Sequence, residues 1–338
     1  MKALYCYDKD DFRLEEMPTP EIGDGDILVE MIYTGLCGSD IIKIFDPADK
    51  KPRVYGHELV GRIAGKGKKV DGFEVGDIVV AAHHIPCYSC HYCLHGNHTM
   101  CRHFKETNIF PGSFAQYIRL SEEHVKNTVF KLPESQDLKE AIFIEPLGCC
   151  IRAMDRINYL EGDYFTVVGV GAIGLLFVQL VKLGGARVVA IDLDSQRLGV
   201  AKELGADLTV NPAEEDLVKK VKEITGIGAD QAILTVTNRV TLDNAVKYLR
   251  DGGEVNIFGM ASKRKPFSID FERVYKRELT IRSHYSSTPE TLKKAYDLVV
   301  GGRMELKPLV SDTFDLKDFK AGLDMVLDKK IYKAIYKL

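Results

Sequence analysis

The sequence predicts an α/β protein in two parts: a β-rich part built as a barrel or sandwich, and a doubly wound parallel sheet that binds a dinucleotide. Three observations predict it. At 338 residues the chain has length for about two domains of roughly 150 residues each. Short β-type runs separated by Gly, Pro and Asp turns fill the first 145 residues, and from Gly162 onward apolar strands alternate with helical segments. Where the first of those strands meets its helix stands a glycine loop, Gly169-Val170-Gly171-Ala172-Ile173-Gly174.

Composition narrows the function classes. Lys and Arg number 46 against 49 Asp and Glu, a net charge of −3, so there is neither a basic surface for nucleic acid nor an acidic tail. With 45% hydrophobic and 28% charged residues, disorder and collagen-like repeats are excluded. The longest apolar runs, around 165–170 and 175–181, are broken by Gly and too short to span a bilayer. The chain starts Met-Lys-Ala-Leu-Tyr-Cys-Tyr-Asp, with no hydrophobic signal region. A soluble cytoplasmic protein acting on a small molecule, with no nucleic-acid or membrane partner, is the expectation.

In the β-rich part, 27–33 and 77–81 are strand-like runs, and four of the eight cysteines crowd into fifteen residues: Cys87, Cys90, Cys93 and Cys101. Two-residue gaps turn successive thiolates inward from one tight loop, and the seven-residue gap returns the chain for a fourth. Four thiolates make the closed shell of a structural zinc, pinning a lobe over 84–104 that has little apolar content. An iron–sulfur cluster satisfies the same ligand count; structural zinc is the reading taken. Cys6, Cys149 and Cys150 read as buried small hydrophobes. Cys37 differs, because Cys37-Gly38-Ser39-Asp40 is followed by Gly56-His57-Glu58. A thiolate, an imidazole and a carboxylate are the ligands of a second zinc, one that keeps a position open for chemistry.

The second part opens with a strand over 164–168, the glycine loop, an apolar helix over 175–183 and a strand over 187–191 that ends in Asp192. Strand, glycine loop, helix, strand and acid in this order are the dinucleotide fingerprint. Gly169 allows the tight turn, Gly171 lets the pyrophosphate approach the backbone, and Gly174 lets the helix pack on its strand. The helix N-terminus, with its free N–H groups, holds the phosphates. Asp192 accepts from both ribose hydroxyls and repels a 2′-phosphate, which selects NAD over NADP. Helices over 194–204, 214–225 and 240–249 then alternate with strands over 208–210, 231–236 and 254–258. A last helix over 289–300 precedes short strands that return to the first part.

With these motifs in one order, and with Glu145-Pro146-Leu147 between them, the chain resembles the zinc-dependent medium-chain dehydrogenase/reductase family over essentially its whole length. It is most similar to the sorbitol (polyol) and threonine dehydrogenase branch. The resemblance implies a GroES-like barrel domain, 1–147 with 286–338, interrupted by a Rossmann domain, 148–285. It implies that Cys37, His57 and Glu145 hold the catalytic zinc, with Glu58 as an exchangeable fourth ligand. It places Ile173 against the pyrophosphate and nicotinamide side and Arg197 near the adenosine. The implied enzyme carries two zincs and NAD, assembles as a homodimer or homotetramer, and transfers a hydride from a secondary alcohol, with Ser39 passing the proton outward.

Two features depart from that branch. Ile42 stands where a relay histidine is common, and Lys43 follows it on a shorter run from Cys37 to His57. The string Cys-Gly-Ser-Asp-Ile-x-Lys-Ile-Phe is more similar to phosphorylated-polyol dehydrogenases. Lys43 is therefore the candidate substrate residue, suited to a phosphate or carboxylate. Threonine-like amino-alcohol oxidation, general secondary-alcohol oxidation, a zinc-free reductase and a non-catalytic relic are the alternatives.

Overall fold

The computed structural model describes residues 1–46, 48–259 and 268–338. The chain divides into two compact units, 1–149 with 287–338 and 150–286, against boundaries of 147/148 and 285/286 expected from the sequence.

In the first unit a seven-stranded sheet runs in the order Thr313–Asp315, Ile335–Lys337, Ile27–Gly35, Glu58–Lys66, Ile78–Val80, Phe130–Lys131, with Tyr117–Leu120 also on Ile27–Gly35. All pairs are antiparallel except the first, which is parallel. Alternation explains the long strand: Ile27, Val29 and Met31 point into a core with Ile63, Val79, Ile118 and Leu120, while Glu30 faces outward. A hairpin of Lys2–Asp8 and Asp11–Glu16 forms a separate two-stranded sheet. Its Ala3 and Leu4 pack with Phe114, Phe319 and Tyr336. The C-terminal strand Ile335–Lys337 lies antiparallel to residues 33–35, and this return carries Lys333 to the start of the helix that follows Cys37.

The second unit is a six-stranded parallel sheet in the order Leu208–Val210, Arg187–Ile191, Tyr164–Val168, Ala229–Leu234, Leu249–Ile257, Thr280–Ser283. In chain order this is 3-2-1-4-5-6, the doubly wound arrangement whose switch point lies between the first and fourth strands. Several elements shift from their expected bounds, among them the strand expected over 254–258, which is Leu249–Ile257, and in two of them a polar side chain intercepts the backbone. The helix expected over 214–225 starts only at Leu217, because Asp216 accepts the Lys219 amide and caps it. The strand expected over 231–236 is Ala229–Leu234, since Thr235 turns its hydroxyl onto the Val168 and Gly169 carbonyls. The helix expected from 175 already begins at Ala172, with Gly171 as its extended N-cap. Among the described residues, no helix is long and apolar enough to cross a membrane.

Candidate active site

Cys37 follows strand Ile27–Gly35 and is the N-cap of helix Gly38–Phe45. Asp40, the third residue of that helix, ties two candidate ligands together. Its Oδ2 accepts the Cys37 amide at 3.4 Å, and its Oδ1 lies 3.3 Å from His57 Nδ1. A carboxylate only accepts, so Nδ1 carries a proton and Nε2 is the nitrogen left to face a metal. Burial disfavours charge on His57, but Asp40 and Cys37, to which it is hydrogen-bonded, outweigh burial and hold the imidazole well above its ordinary value. Burial likewise works against the Asp40 carboxylate, which His57, Lys43 and the Cys37 amide nevertheless hold below the usual range. Gly56, just before His57, has φ +92°, and a Cβ there would strike Ser113 Oγ.

Glu58 opens its strand directly across from Gly35, where a Cβ would strike Glu58 Oε2. Lys333 Nζ donates to both oxygens of Glu58, at 2.7 and 2.8 Å, and to the Leu36 carbonyl at 3.4 Å. Burial opposes the Lys333 charge, but Glu58 and Cys37 outweigh it and raise its affinity for the proton. Glu145 lies buried in the first turn of helix Ile144–Met154, and Cys149 Sγ donates to its Oε1 at 3.6 Å. Burial pushes the Glu145 carboxyl above the usual range, against a partial offset from His57.

The structure thus sets His57 within electrostatic reach of Cys37 and Glu145, and Glu145 within reach of Glu58. Among the described residues, only the four lobe cysteines have metal-donor atoms that all lie within 4.8 Å. The chemistry of Cys37, His57 and Glu145 fits a zinc with an open position: one thiolate, one imidazole whose Nδ1 a carboxylate fixes, and one carboxylate. Ser39 is exposed, and its hydroxyl donates to Cys37 Sγ at 3.4 Å. Lys43, exposed in the last turn of the same helix, makes no ion pair among the described residues. Its charge is felt by buried Asp40 and by His83 and His84.

In the lobe, Cys87 and Cys101 sulfurs lie 3.5 Å apart, Cys90 and Cys93 3.6 Å, and Cys87 and Cys93 4.0 Å. Zinc–sulfur bonds of about 2.3 Å give a tetrahedron with edges of about 3.8 Å. The cluster fits a closed zinc site. Ser89 donates to Cys87 through its amide and its hydroxyl, drawing that thiol down to about 5. Among the described residues, Phe104 is the one large apolar side chain in this small core, so the lobe has little else to hold it.

In the second unit the glycine loop is fixed by three contacts. Gly169 has φ +87° and donates to the Ile191 carbonyl at 2.8 Å, while Thr235 Oγ1 donates to the Gly169 carbonyl at 2.7 Å. A Cβ on Gly174 would strike the Gly169 carbonyl. At Gly171 the nearest atom to such a Cβ is Arg197 Nη1, 3.5 Å away, which leaves the backbone open to a ligand beside a cation. Ala172, Ile173 and Gly174 form the first helical turn, whose N–H groups have no intrahelical partner. Asp192 accepts the Val170 amide at 2.8 Å and the Asp194 amide at 3.1 Å, one on each oxygen. This cradle fits a dinucleotide.

Three residues escaped the sequence reading. Asp40 stands three positions after Cys37, the spacing of a capping box, and that was its one signal. His83 lies in a His-His pair four positions before Cys87, its ring centroid 4.5 Å from that of His57. Burial pushes its imidazole well below the ordinary value. Nothing local marks Lys333.

Residues 23–134 match the alcohol dehydrogenase GroES-like domain, and residues 172–301 the zinc-binding dehydrogenase domain. Sorbitol dehydrogenase of Bacillus subtilis (strain 168) is 31% identical, over 98% of this chain and 94% of its own. D-arabitol-phosphate dehydrogenase of Enterococcus avium is 32% identical, over 95% and 92%. The crystal structure of galactitol-1-phosphate dehydrogenase from Escherichia coli superposes with a TM-score of 0.86 at 26% identity, covering 100% of each chain. With both domain families matched in order and relatives aligned almost end to end, the chain belongs to the zinc-dependent medium-chain dehydrogenase/reductase family.

Proposed function

We propose that this protein oxidises a secondary alcohol of a polyol or sugar-derived substrate, neutral, phosphorylated or acidic, to the ketone, with NAD as hydride acceptor. Cys37, His57 and Glu145 hold the catalytic zinc, and Glu58 is its exchangeable fourth ligand. The observation that carries the reading is Asp40, which binds the Cys37 amide and His57 Nδ1 at once and so presents a thiolate and an imidazole to one point. Sorbitol, arabitol-phosphate and galactitol-phosphate relatives supply the substrate class.

A zinc held there would lower the pKa of a substrate hydroxyl, and bound NAD would supply the hydride acceptor. The chain's own residues supply the rest. Asp40 fixes the tautomer and tilt of His57. Lys333 neutralises Glu58, so that a second carboxylate beside Glu145 is tolerated. With Ile42 in place of a relay histidine, the exposed hydroxyl of Ser39 moves the proton from the site to water. The helix that starts at Ala172 holds the pyrophosphate on its free amides, with Arg197 alongside and Ile173 beside the nicotinamide end. Asp192, already aimed by two backbone amides, accepts the ribose hydroxyls and disfavours a 2′-phosphate. Lys43 takes the anionic end of the substrate.

A cytoplasmic location agrees with eight free thiols and a metal-spaced cysteine cluster. The open edge of the parallel sheet at Thr280–Ser283 supports assembly as a homodimer or homotetramer. A panel of polyols, polyol phosphates and amino-alcohols, scored by NADH appearance alongside zinc content, tests the proposal. Two zincs per chain and turnover of the polyol arm are expected; turnover confined to amino-alcohols turns the assignment to a threonine-like enzyme.

A further inference from the structure

Three imidazoles stand in a row beside the proposed zinc ligands. The His83 ring centroid lies 4.5 Å from that of His57 and 3.9 Å from that of His84. Both flanks are anchored. His84 Nδ1 hydrogen-bonds the Thr107 carbonyl at 2.5 Å, and His57 is held by Asp40. The backbone of His83 is fixed as well: buried His124 donates from Nε2 to the His83 carbonyl at 3.1 Å, while its Nδ1 pairs with Ser121 Oγ at 2.8 Å. His83 therefore has little freedom of position.

Its ring nitrogens are another matter. Nδ1 is sealed from solvent and has no hydrogen-bond partner. A buried N–H without an acceptor is costlier than an unshared aromatic lone pair. The proton consequently belongs on Nε2, which makes the half-buried outer edge of the ring a hydrogen-bond donor. No described residue accepts from it. A donor held rigidly against a metal-ligand histidine, with no partner of its own, is arranged to meet an oxygen of whatever occupies the open zinc position.

We propose that His83 is a specificity-determining residue: its Nε2–H donates to the hydroxyl on the carbon next to the one oxidised, so that the site prefers a vicinal diol to a monohydric alcohol. The proposal rests on the polyol reading and deepens it, because a simple secondary alcohol has no oxygen at that place. Leaving the donor unmet in the bound state then weakens the monohydric substrate.

A matched pair tests it: butane-2,3-diol and butan-2-ol, compared by kcat/KM in wild type, His83→Phe and His83→Gln, with zinc content measured for each. The wild type prefers the diol by about tenfold or more, the scale of one hydrogen bond lost on binding. His83→Phe keeps two zincs and brings that ratio close to one, lowering kcat/KM for the diol and raising it for butan-2-ol, while His83→Gln, which keeps an N–H, retains part of the preference. If the phenylalanine variant does not fold, His83→Met carries the same expectation. An unchanged ratio in the apolar variant, or equal losses on both substrates, overturns the role of His83 and leaves the polyol reading standing. A wild type inactive on the diol and on every polyol overturns that reading, and this inference with it.

Discussion

Lys333 Nζ sits 2.7 and 2.8 Å from the two oxygens of Glu58, an ion pair buried at both ends and closed between residues 275 positions apart. It links the C-terminal return of the chain to the strand that follows His57. Desolvating two charges offsets most of their attraction, so the pair adds little net stability, but removing one partner strands the other. Lys333→Met is expected to cost about 3–5 kcal/mol and to lower zinc content at the neighbouring ligands. Adding Glu58→Gln should recover much of that loss. A single variant that melts with the wild type, or a double variant with strictly additive losses, contradicts the coupling.

Asp40 predicts a loss of a different kind. It is the carboxylate behind His57, and such partners are worth about 10–100-fold in metal affinity or activity. Asp40→Ala should lose the second zinc to chelators at concentrations that leave wild type loaded, with the lobe zinc retained. Loss of the helix cap contributes only about 1 kcal/mol to stability. Two zincs bound as tightly as in wild type would sink the role assigned to Asp40.

For the lobe, Cys90→Ser is expected to lower the melting temperature while the open site keeps its zinc. The closed site supplies folding energy, and among the described residues the one large apolar side chain in its core is Phe104. An unchanged melting temperature argues against a structural zinc.

What the sequence revealed is what short-range chemistry encodes. The glycine loop, Asp192 and the four lobe cysteines each lie within one turn or one strand–helix unit, so spacing alone places them. The strands Tyr164–Val168 and Arg187–Ile191 and the helix Pro289–Val300 occupy the bounds their apolar runs predict. Lys333 was invisible because only the antiparallel pairing of the C-terminal strand carries it to Glu58. His83 was invisible because its partner ring belongs to a loop 26 positions earlier. Helix starts slipped where a side chain took over a cap, as at Asp216, because a capping residue and a first-turn residue look alike in composition.

In the proposed reading cofactor choice rests on Asp192, and its geometry adds a second effect to the expected one. Asp192→Ser removes the charge that repels a 2′-phosphate, and it also frees the Val170 and Asp194 amides that the carboxylate holds. KM for NAD should therefore rise by about tenfold or more, while the handicap against NADP shrinks. A wild type that already uses NADP better than NAD would show that this position has been misread.

In the proposed reading an anionic substrate would be met by Lys43. Helix Gly38–Phe45 presents it one turn after Asp40, and its charge reaches Asp40, His83 and His84 although its own ammonium lies in solvent. Among the described residues no carboxylate pairs with it, as is ordinary for an exposed lysine. An incoming phosphate or carboxylate would meet an unneutralised cation, worth about 1–3 kcal/mol as a charge-assisted hydrogen bond. Lys43→Met should accordingly lower kcat/KM for a polyol phosphate by about 10–100-fold and leave the neutral polyol nearly unchanged. Raising ionic strength should erode the wild-type preference and not the variant's, because an exposed charge is screened. Equal losses on both substrates, or none on either, return the assignment to a neutral polyol.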